Sequence, residues 1–132
     1  MKDITKREMT EGEELIKEFL EGEGIDFKPE VEILNLKEDN KPFRKADLYL
    51  PQYKVYVEFL GQWNKEEHKK RYIEKMSVYR INNLPCIYIY PDNLGILGFI
   101  FKRRLKKVLR EHKELRWQLF RINWESLEKN SD

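Results

Sequence analysis

Two acidic residues, Asp47 and Glu58, lie in a segment whose pattern predicts a β-hairpin. The segment, residues 46–61, reads ADLYLPQYKVYVEFLG, with strand-forming residues on both sides of a Pro-Gln-Tyr turn. If the turn is centred on Gln52 and Tyr53, Asp47 lies directly opposite Glu58. Opposed side chains on antiparallel strands are about 5 Å apart at Cβ, and like charges there repel. A divalent cation would offset the repulsion, because carboxylate oxygens are the ligands that magnesium and manganese prefer.

The alternation of side chains along both strands predicts that the two acids emerge on the same side of the sheet. An unpaired charge at Glu58 would be costly, because its strand is strongly apolar. An alternative is that Arg44 or Lys45 forms a salt bridge with one acid, while the other lies at a solvated sheet edge. The predicted apolar face comprises Ala46, Leu48, Leu50, Val55, Val57 and Phe59, and the predicted acidic face comprises Asp47, Tyr49, Tyr56, Glu58 and Leu60.

Hydrophobic spacing predicts the elements that position this hairpin, in the order helix, three strands, helix, strand, helix. Because the last strand follows a helical crossover, we expect an α/β fold with a mixed sheet flanked by helices. Thr10 and Asn64 are the predicted N-caps of the first two helices. The predicted ranges are helix 10–23, strand 25–36, the hairpin strands, helix 64–82, strand 86–90 and helix 96–112.

The chain is about one domain long at 132 residues, and we divide it into an α/β core, 1–112, and a C-terminal tail, 113–132. The tail is helical or simply aromatic, with Trp117, Phe120 and Trp124, and packs either on the core or on a partner. A homodimer is therefore one of the expected arrangements.

The composition excludes several classes of protein. No apolar run approaches the ~20 residues of a membrane span, and the N-terminus has no secretory signal pattern, so we expect a cytoplasmic protein with no membrane partner. One cysteine, Cys86, and two distant histidines, His68 and His112, do not make a zinc motif. No glycine-rich phosphate loop occurs.

Basic residues crowd the last predicted helix, although the net charge of the chain is only +2. Such a cluster is typical of a nucleic-acid contact, and equally of a solvated helix face. The residues concerned are Lys102, Arg103, Arg104, Lys106, Lys107 and Arg110.

The hairpin motifs, within this order of elements, resemble those of the PD-(D/E)XK nuclease superfamily. ADLYLP (46–51) and VEFLG (57–61) are similar to its "PDFYLP" and "IEFxG" strands. TEGEE (10–14) resembles the first helix of its small members of the very-short-patch-repair type. Tyr72, Lys75 and Tyr79 resemble the helix that follows the hairpin. The likeness covers roughly residues 10–108 and implies a restriction-endonuclease-like core.

The resemblance implies a catalytic metal, Mg²⁺ or Mn²⁺, held by Asp47, Glu58 and the backbone carbonyl of Phe59. It also makes Glu13 the acid of the first helix, on the same side of the helical wheel as the apolar positions. Glu13 would then reach the metal through water. Alternatively, Glu13 only closes a capping box with Thr10.

The sequence departs from the family pattern at Leu60, where a lysine usually orients and helps deprotonate the attacking water. Lys75 is the predicted substitute, because it lies on the inward stripe of its helix. Gln62 could instead hold the water. The alternative for Lys75 is that its stem carries the ammonium outward to solvent.

The resemblance implies a magnesium-dependent endonuclease that hydrolyses the phosphodiester bonds of DNA. We expect the six basic residues of the last helix to contact the nucleic acid, because of their clustered charge. The alternative, favoured by Leu60, is a catalytically inactive protein of the nuclease fold that binds nucleic acid.

Overall fold

The computed structural model describes residues 4–129, and side chains from residue 11 to residue 127. Within these residues the elements follow the predicted order of helix, three strands, helix, strand and helix. A fourth helix lies in the tail, and there are two 3₁₀ segments, Pro91–Ile96 and Lys113–Phe120. The elements are α1 (Ile4–Gly22), β1 (Lys28–Leu34), β2 (Phe43–Leu50), β3 (Val55–Phe59), α2 (Glu66–Ile81), β4 (Cys86–Ile89), α3 (Leu97–Glu111) and α4 (Trp124–Lys129).

The four strands form one mixed sheet in the order β1-β2-β3-β4, which confirms the predicted α/β class. β1, β2 and β3 are antiparallel neighbours, and β4 lies parallel to β3 after the α2 crossover. Leu48 pairs with Val57 and Tyr49 with Tyr56, so the predicted hairpin register is confirmed. The turn closes because the Lys54 N–H donates to the Leu50 carbonyl at 2.7 Å.

The sheet is covered on both faces. α1 and α3 pack on one face through a main core that includes Ile16, Leu48, Val57, Phe101 and Leu105. The other face carries a smaller cluster beneath α2, made of Ile33, Ala46, Tyr79 and Cys86.

Two predicted helix starts are wrong. α1 begins at Ile4, so Thr10 lies inside the helix, because residues 4–9 contain no helix breaker and continue the helical stretch. α2 begins at Glu66 after Lys65, not after Asn64, because a turn closed by Trp63 N–H to the Leu60 carbonyl occupies 60–65. The first strand is also shorter than predicted, at Lys28–Leu34.

The predicted placement of Ala46 on the main apolar face is wrong. Leu48 and Leu50 contribute to the main core, whereas Ala46 packs in the cluster beneath α2. The ladder between β1 and β2 passes over the pair Glu30 and Asp47, and Glu30 has a left-handed φ of 51°. The two strands keep the same register on both sides of this pair, while Ala46 and Leu48 pack in different clusters on the two sides of Asp47.

The tail packs on the core of its own chain over the described part of 113–132. Leu115 and Leu127 are buried in the main core. The buried Gln118 amide donates to the Tyr53 carbonyl at 2.8 Å and so ties the tail to the hairpin turn. No helix within residues 4–129 has the length and apolar character needed to cross a membrane.

Candidate active site

The site begins where β2 and β3 stop pairing through their backbones. The ladder reaches Leu48 and Val57. Asp47 is the next residue on β2, and the N–H of Phe59, two residues beyond Val57, donates to its Oδ2 at 2.7 Å. The Asp47 carboxylate therefore takes the place of a backbone acceptor. This bond fixes the carboxylate at the end of the ladder, beside the Glu58 carboxyl group, with which Asp47 also forms a hydrogen bond.

Glu58 is buried beside Asp47, with 3% of its surface exposed. Both of its oxygens receive hydrogen bonds from α2. The Lys75 ammonium donates to Oε1 at 3.0 Å, and the Tyr79 hydroxyl donates to Oε2 at 2.7 Å. Lys75 and Tyr79 are four residues apart on the helix, so they project from the same face towards one carboxylate.

Burial raises the pKa of Glu58 to about 7, and the negative charge of Asp47 adds to the shift. Lys75 and the Tyr79 hydrogen bond act in the opposite direction without cancelling it. Burial likewise raises the pKa of Asp47, against the Phe59 N–H and the charge of Lys75. The two acids are therefore close, and their charges are incompletely compensated.

The structure turns Lys75 inward, contrary to the outward alternative. Its ammonium also donates to the Lys45 carbonyl at 2.7 Å, which ties α2 to β2. An ammonium has three donors. The bonds to Lys45 and Glu58 account for two of them, and one proton remains for a water or a phosphate oxygen.

Arg44 does not neutralise either acid of the pair, so that alternative is wrong. Its guanidinium pairs with Asp39 through two bonds of 2.8 Å and approaches Glu74 of α2 at 3.7 Å. Lys45 offers its backbone carbonyl to Lys75. The cation that reaches the site therefore comes from α2.

Glu13 lies on α1 beside Asp47. A Cβ at Gly12 would stand 2.3 Å from the Phe59 ring, so α1 passes unusually close to β3 at this point. Burial raises the pKa of Glu13, and the charge of Asp47 adds to the shift. The capping role of Glu13 is excluded, because α1 begins nine residues before it.

Leu60 is fully buried and cannot contribute to proton transfer. Its N–H donates to the Ile89 carbonyl, which holds the end of β3 against the end of β4. Gln62 is also buried, and its backbone N–H donates to the Tyr72 hydroxyl at 3.1 Å. Gln62 therefore lies in the turn that leads into α2 and is held there by Tyr72.

Three aromatic rings that the sequence analysis did not single out as a group meet at the carboxyl ends of β3 and β4. The Trp63 ring lies nearly parallel to Tyr72, with centroids 6.3 Å apart, and edge-on to Tyr90 at 5.0 Å. In the sequence, the one hint of this group is that Trp63 comes shortly after β3 and Tyr90 directly after β4, while Tyr72 lies on the helix between these strands.

Only three of the six basic residues predicted to form a surface on α3 are exposed. Arg104 turns towards the sheet, where it donates to the Tyr88 carbonyl at 2.6 Å and to the Asn93 side chain at 2.7 Å. The exposed members, spaced four and three residues apart on one stripe, are Arg103, Lys107 and Arg110. Lys107 pairs with Glu111 at 2.6 Å, and Lys106 lies over the Trp124 ring. Lys102 lies on the same helix and is half-buried.

The donors at the site are of the kind that a hard cation requires. Asp47, Glu58 and Phe59 carry carboxylate and carbonyl oxygens on adjacent strands, the donor type that Mg²⁺ prefers. Among the side chains of residues 11–127, however, no three from His, Cys, Asp and Glu converge closely enough to hold a metal.

Comparison with protein-family models, curated proteins and solved structures found no match for this chain.

We expect Glu58 to make the protein less stable as the pH rises. Its pKa is about 7 when folded and near 4.5 when unfolded, so the native state binds the proton more tightly. The free energy of unfolding should fall between about pH 4.5 and 7, by on the order of 3 kcal/mol from this group, and then level off. Urea titrations from pH 4.5 to 8.5 in EDTA measure this.

Glu58→Gln keeps the shape and removes the titration, so its stability should lose most of this pH dependence. Glu18→Gln, at an exposed position of α1, serves as the matched control and should follow the wild-type curve. A Glu58→Gln curve parallel to that of the wild type would contradict the assignment.

Proposed function

We propose that this protein is a metal-dependent endonuclease that hydrolyses phosphodiester bonds in DNA. The observation that carries the proposal is the Lys75 ammonium on Oε1 of the buried Glu58, 3.0 Å away. It supplies from α2 the cation that Leu60 cannot supply from β3. With Asp47 at the end of the adjacent strand, the arrangement has the carboxylates and the ammonium that the resembled nucleases use.

Each side chain then has a definite task. Asp47 and Glu58 provide the oxygens that hold the cation, and the Phe59 N–H and the Tyr79 hydroxyl fix their orientation. A bound Mg²⁺ or Mn²⁺ lowers the pKa of the attacking water and neutralises charge on the phosphate. Lys75 offers its remaining proton to the water or to a phosphate oxygen. Glu13 accepts a hydrogen bond from water on the α1 side.

The alternative function is nucleic-acid binding without cleavage. It is favoured by two observations: Leu60 is buried in the position of the family lysine, and both Glu58 oxygens already have hydrogen-bond partners within the chain. In that case the Glu58–Lys75–Tyr79 group is an internal ion pair that holds α2 on the sheet.

We expect cleavage of supercoiled plasmid and branched DNA in Mg²⁺ or Mn²⁺ at pH 8.5, where Glu58 is mostly ionised. Asp47→Ala and Glu58→Ala should each lower the rate at least about 100-fold, because each removes a ligand of the catalytic ion. Gel assays measure cleavage, and far-UV circular dichroism spectra of the variants show whether a loss of cleavage results from a loss of folding. DNA binding that is unchanged by metal or by either substitution, with no cleavage, would instead establish the binding protein.

Lys75→Met should lower the cleavage rate by about 100-fold or more, since general acid–base groups contribute 10² to 10⁴. Metal affinity, measured by Mn²⁺ titration at the same pH, should stay nearly unchanged because the carboxylates remain. Lys70→Met, at an exposed position on α2, is the matched control and should cleave normally. An unaltered rate in Lys75→Met would remove Lys75 from the mechanism.

The exposed stripe of α3 should contribute to the salt dependence of DNA binding. Replacing Arg103, Lys107 and Arg110 with Ala should reduce the magnitude of the slope of log affinity against log salt by about 2 to 3. The reason is that each phosphate contact accounts for about 0.9 of the counterions released on binding, and three contacts are removed. Replacing Lys28, Lys37 and Lys41, exposed elsewhere, provides the control. Equal slopes in wild type and the α3 variant would place the contact surface away from α3.

A further inference from the structure

The aromatic group of Trp63, Tyr72 and Tyr90 lies outside both core clusters of the described residues. All three rings are half-buried, so part of their surface reaches solvent. Trp63 stands in the turn between β3 and α2, Tyr72 on α2, and Tyr90 directly after β4. The group therefore caps the carboxyl ends of the two parallel strands.

This group is next to the carboxylates. Tyr72 lies three residues before Lys75 on α2, so the two side chains project from the same face of the helix, and the Lys75 ammonium donates to Glu58 at 3.0 Å. The Tyr72 hydroxyl accepts the Gln62 N–H, four residues after Glu58. A polymer with one phosphate at the acids thus meets the aromatic rings with its neighbouring units.

Two cations accompany the rings. The Lys69 ammonium lies 4.9 Å from the centroid of Trp63, and the Arg104 guanidinium carbon lies 5.7 Å from that of Tyr90. Rings with half-exposed faces and adjacent cations are the recurring feature of surfaces that bind single-stranded nucleic acid. In those surfaces bases stack on the rings, while the cations contact the phosphates.

We propose that Trp63, with Lys69 and Tyr90, forms a subsite on which an unpaired base stacks, so that the substrate at the carboxylates is a single strand. Lys69 moves from the Trp63 ring to a phosphate when the base arrives. A paired base cannot present its face to the ring, whereas a single strand, or a single-stranded segment of branched DNA, can. The inference rests on the proposed function for the identity of the polymer, and its test does not depend on cleavage.

The experiment measures binding of a fluorescently labelled oligo(dT) of 20 nucleotides and of a 20-base-pair duplex, in EDTA to prevent cleavage. Wild type should bind the single strand more tightly. Trp63→Leu should weaken single-strand binding by about 5- to 150-fold, the usual effect of losing one stacked base, and change duplex binding less than about twofold.

The chain offers a matched control in Trp117, which is half-exposed and has the Arg121 guanidinium 5.4 Å from its ring, but lies in the C-terminal tail. Trp117→Leu should leave single-strand binding unchanged. A second measurement guards against misfolding of Trp63→Leu. In the double variant Trp117→Phe/Trp124→Phe, Trp63 is the one remaining tryptophan, and oligo(dT) should quench its emission.

Equal losses for single strand and duplex in Trp63→Leu, or emission of Trp63 that does not respond to oligo(dT), would overturn the subsite. The rings would then only hold the turn before α2. If the protein cleaves DNA but neither Trp63→Leu nor the Trp63 emission shows an effect of single-strand binding, the proposed function is retained and only this inference is rejected. Metal-independent quenching without any cleavage would support the subsite while rejecting the nuclease.

Discussion

The buried charge of Glu58 determines how the layers of this protein fit together. A carboxylate with 3% of its surface exposed requires donors, and α2 supplies one to each oxygen of Glu58. Lys75 and Tyr79 meet this need only if α2 crosses the sheet directly above β3. The second bond of Lys75, to the Lys45 carbonyl, then fixes α2 against β2. One interaction thus joins the crossover helix to both strands of the hairpin.

The break in the ladder at Asp47 makes this arrangement compatible with a packed core on both faces. Because β2 changes faces there, Leu48 packs under α1 and α3 while Ala46 packs under α2. The Asp47 side chain satisfies the Phe59 N–H that the interrupted ladder would leave without an acceptor. Asp47 therefore stabilises the end of the ladder with one carboxylate oxygen, and the same carboxylate lies in the site.

The sequence predicted the parts of the site that depend on short-range periodicity. The register of the hairpin follows from the turn and brings Asp47 and Glu58 close together, although the ladder ends one pair earlier, at Leu48 and Val57. The inward position of Lys75 follows from its helical stripe. The same reasoning failed at Ala46, because a change of strand face leaves no trace in a two-residue alternation. It also failed for Arg104, which caps a backbone carbonyl of β4, and for the contact of Trp63 with Tyr90, since both depend on tertiary neighbours. The start of α1 was misplaced because Thr10 resembles a cap, yet helix formers precede it.

The choice between a catalytic site and a structural ion pair depends on what a purely structural role would require. Replacing a buried ion pair with apolar residues is often neutral or stabilising, so packing alone does not call for Glu58 and Lys75. The pair is also imperfect as a stabiliser, because burial and Asp47 keep the pKa of Glu58 near 7 in spite of Lys75 and Tyr79. A second cation between the two acids would complete the charge balance that the protein alone leaves unfinished. Such incomplete compensation is a common feature of functional sites, and it supports the proposed metal site over a pair that serves only to hold α2 in place.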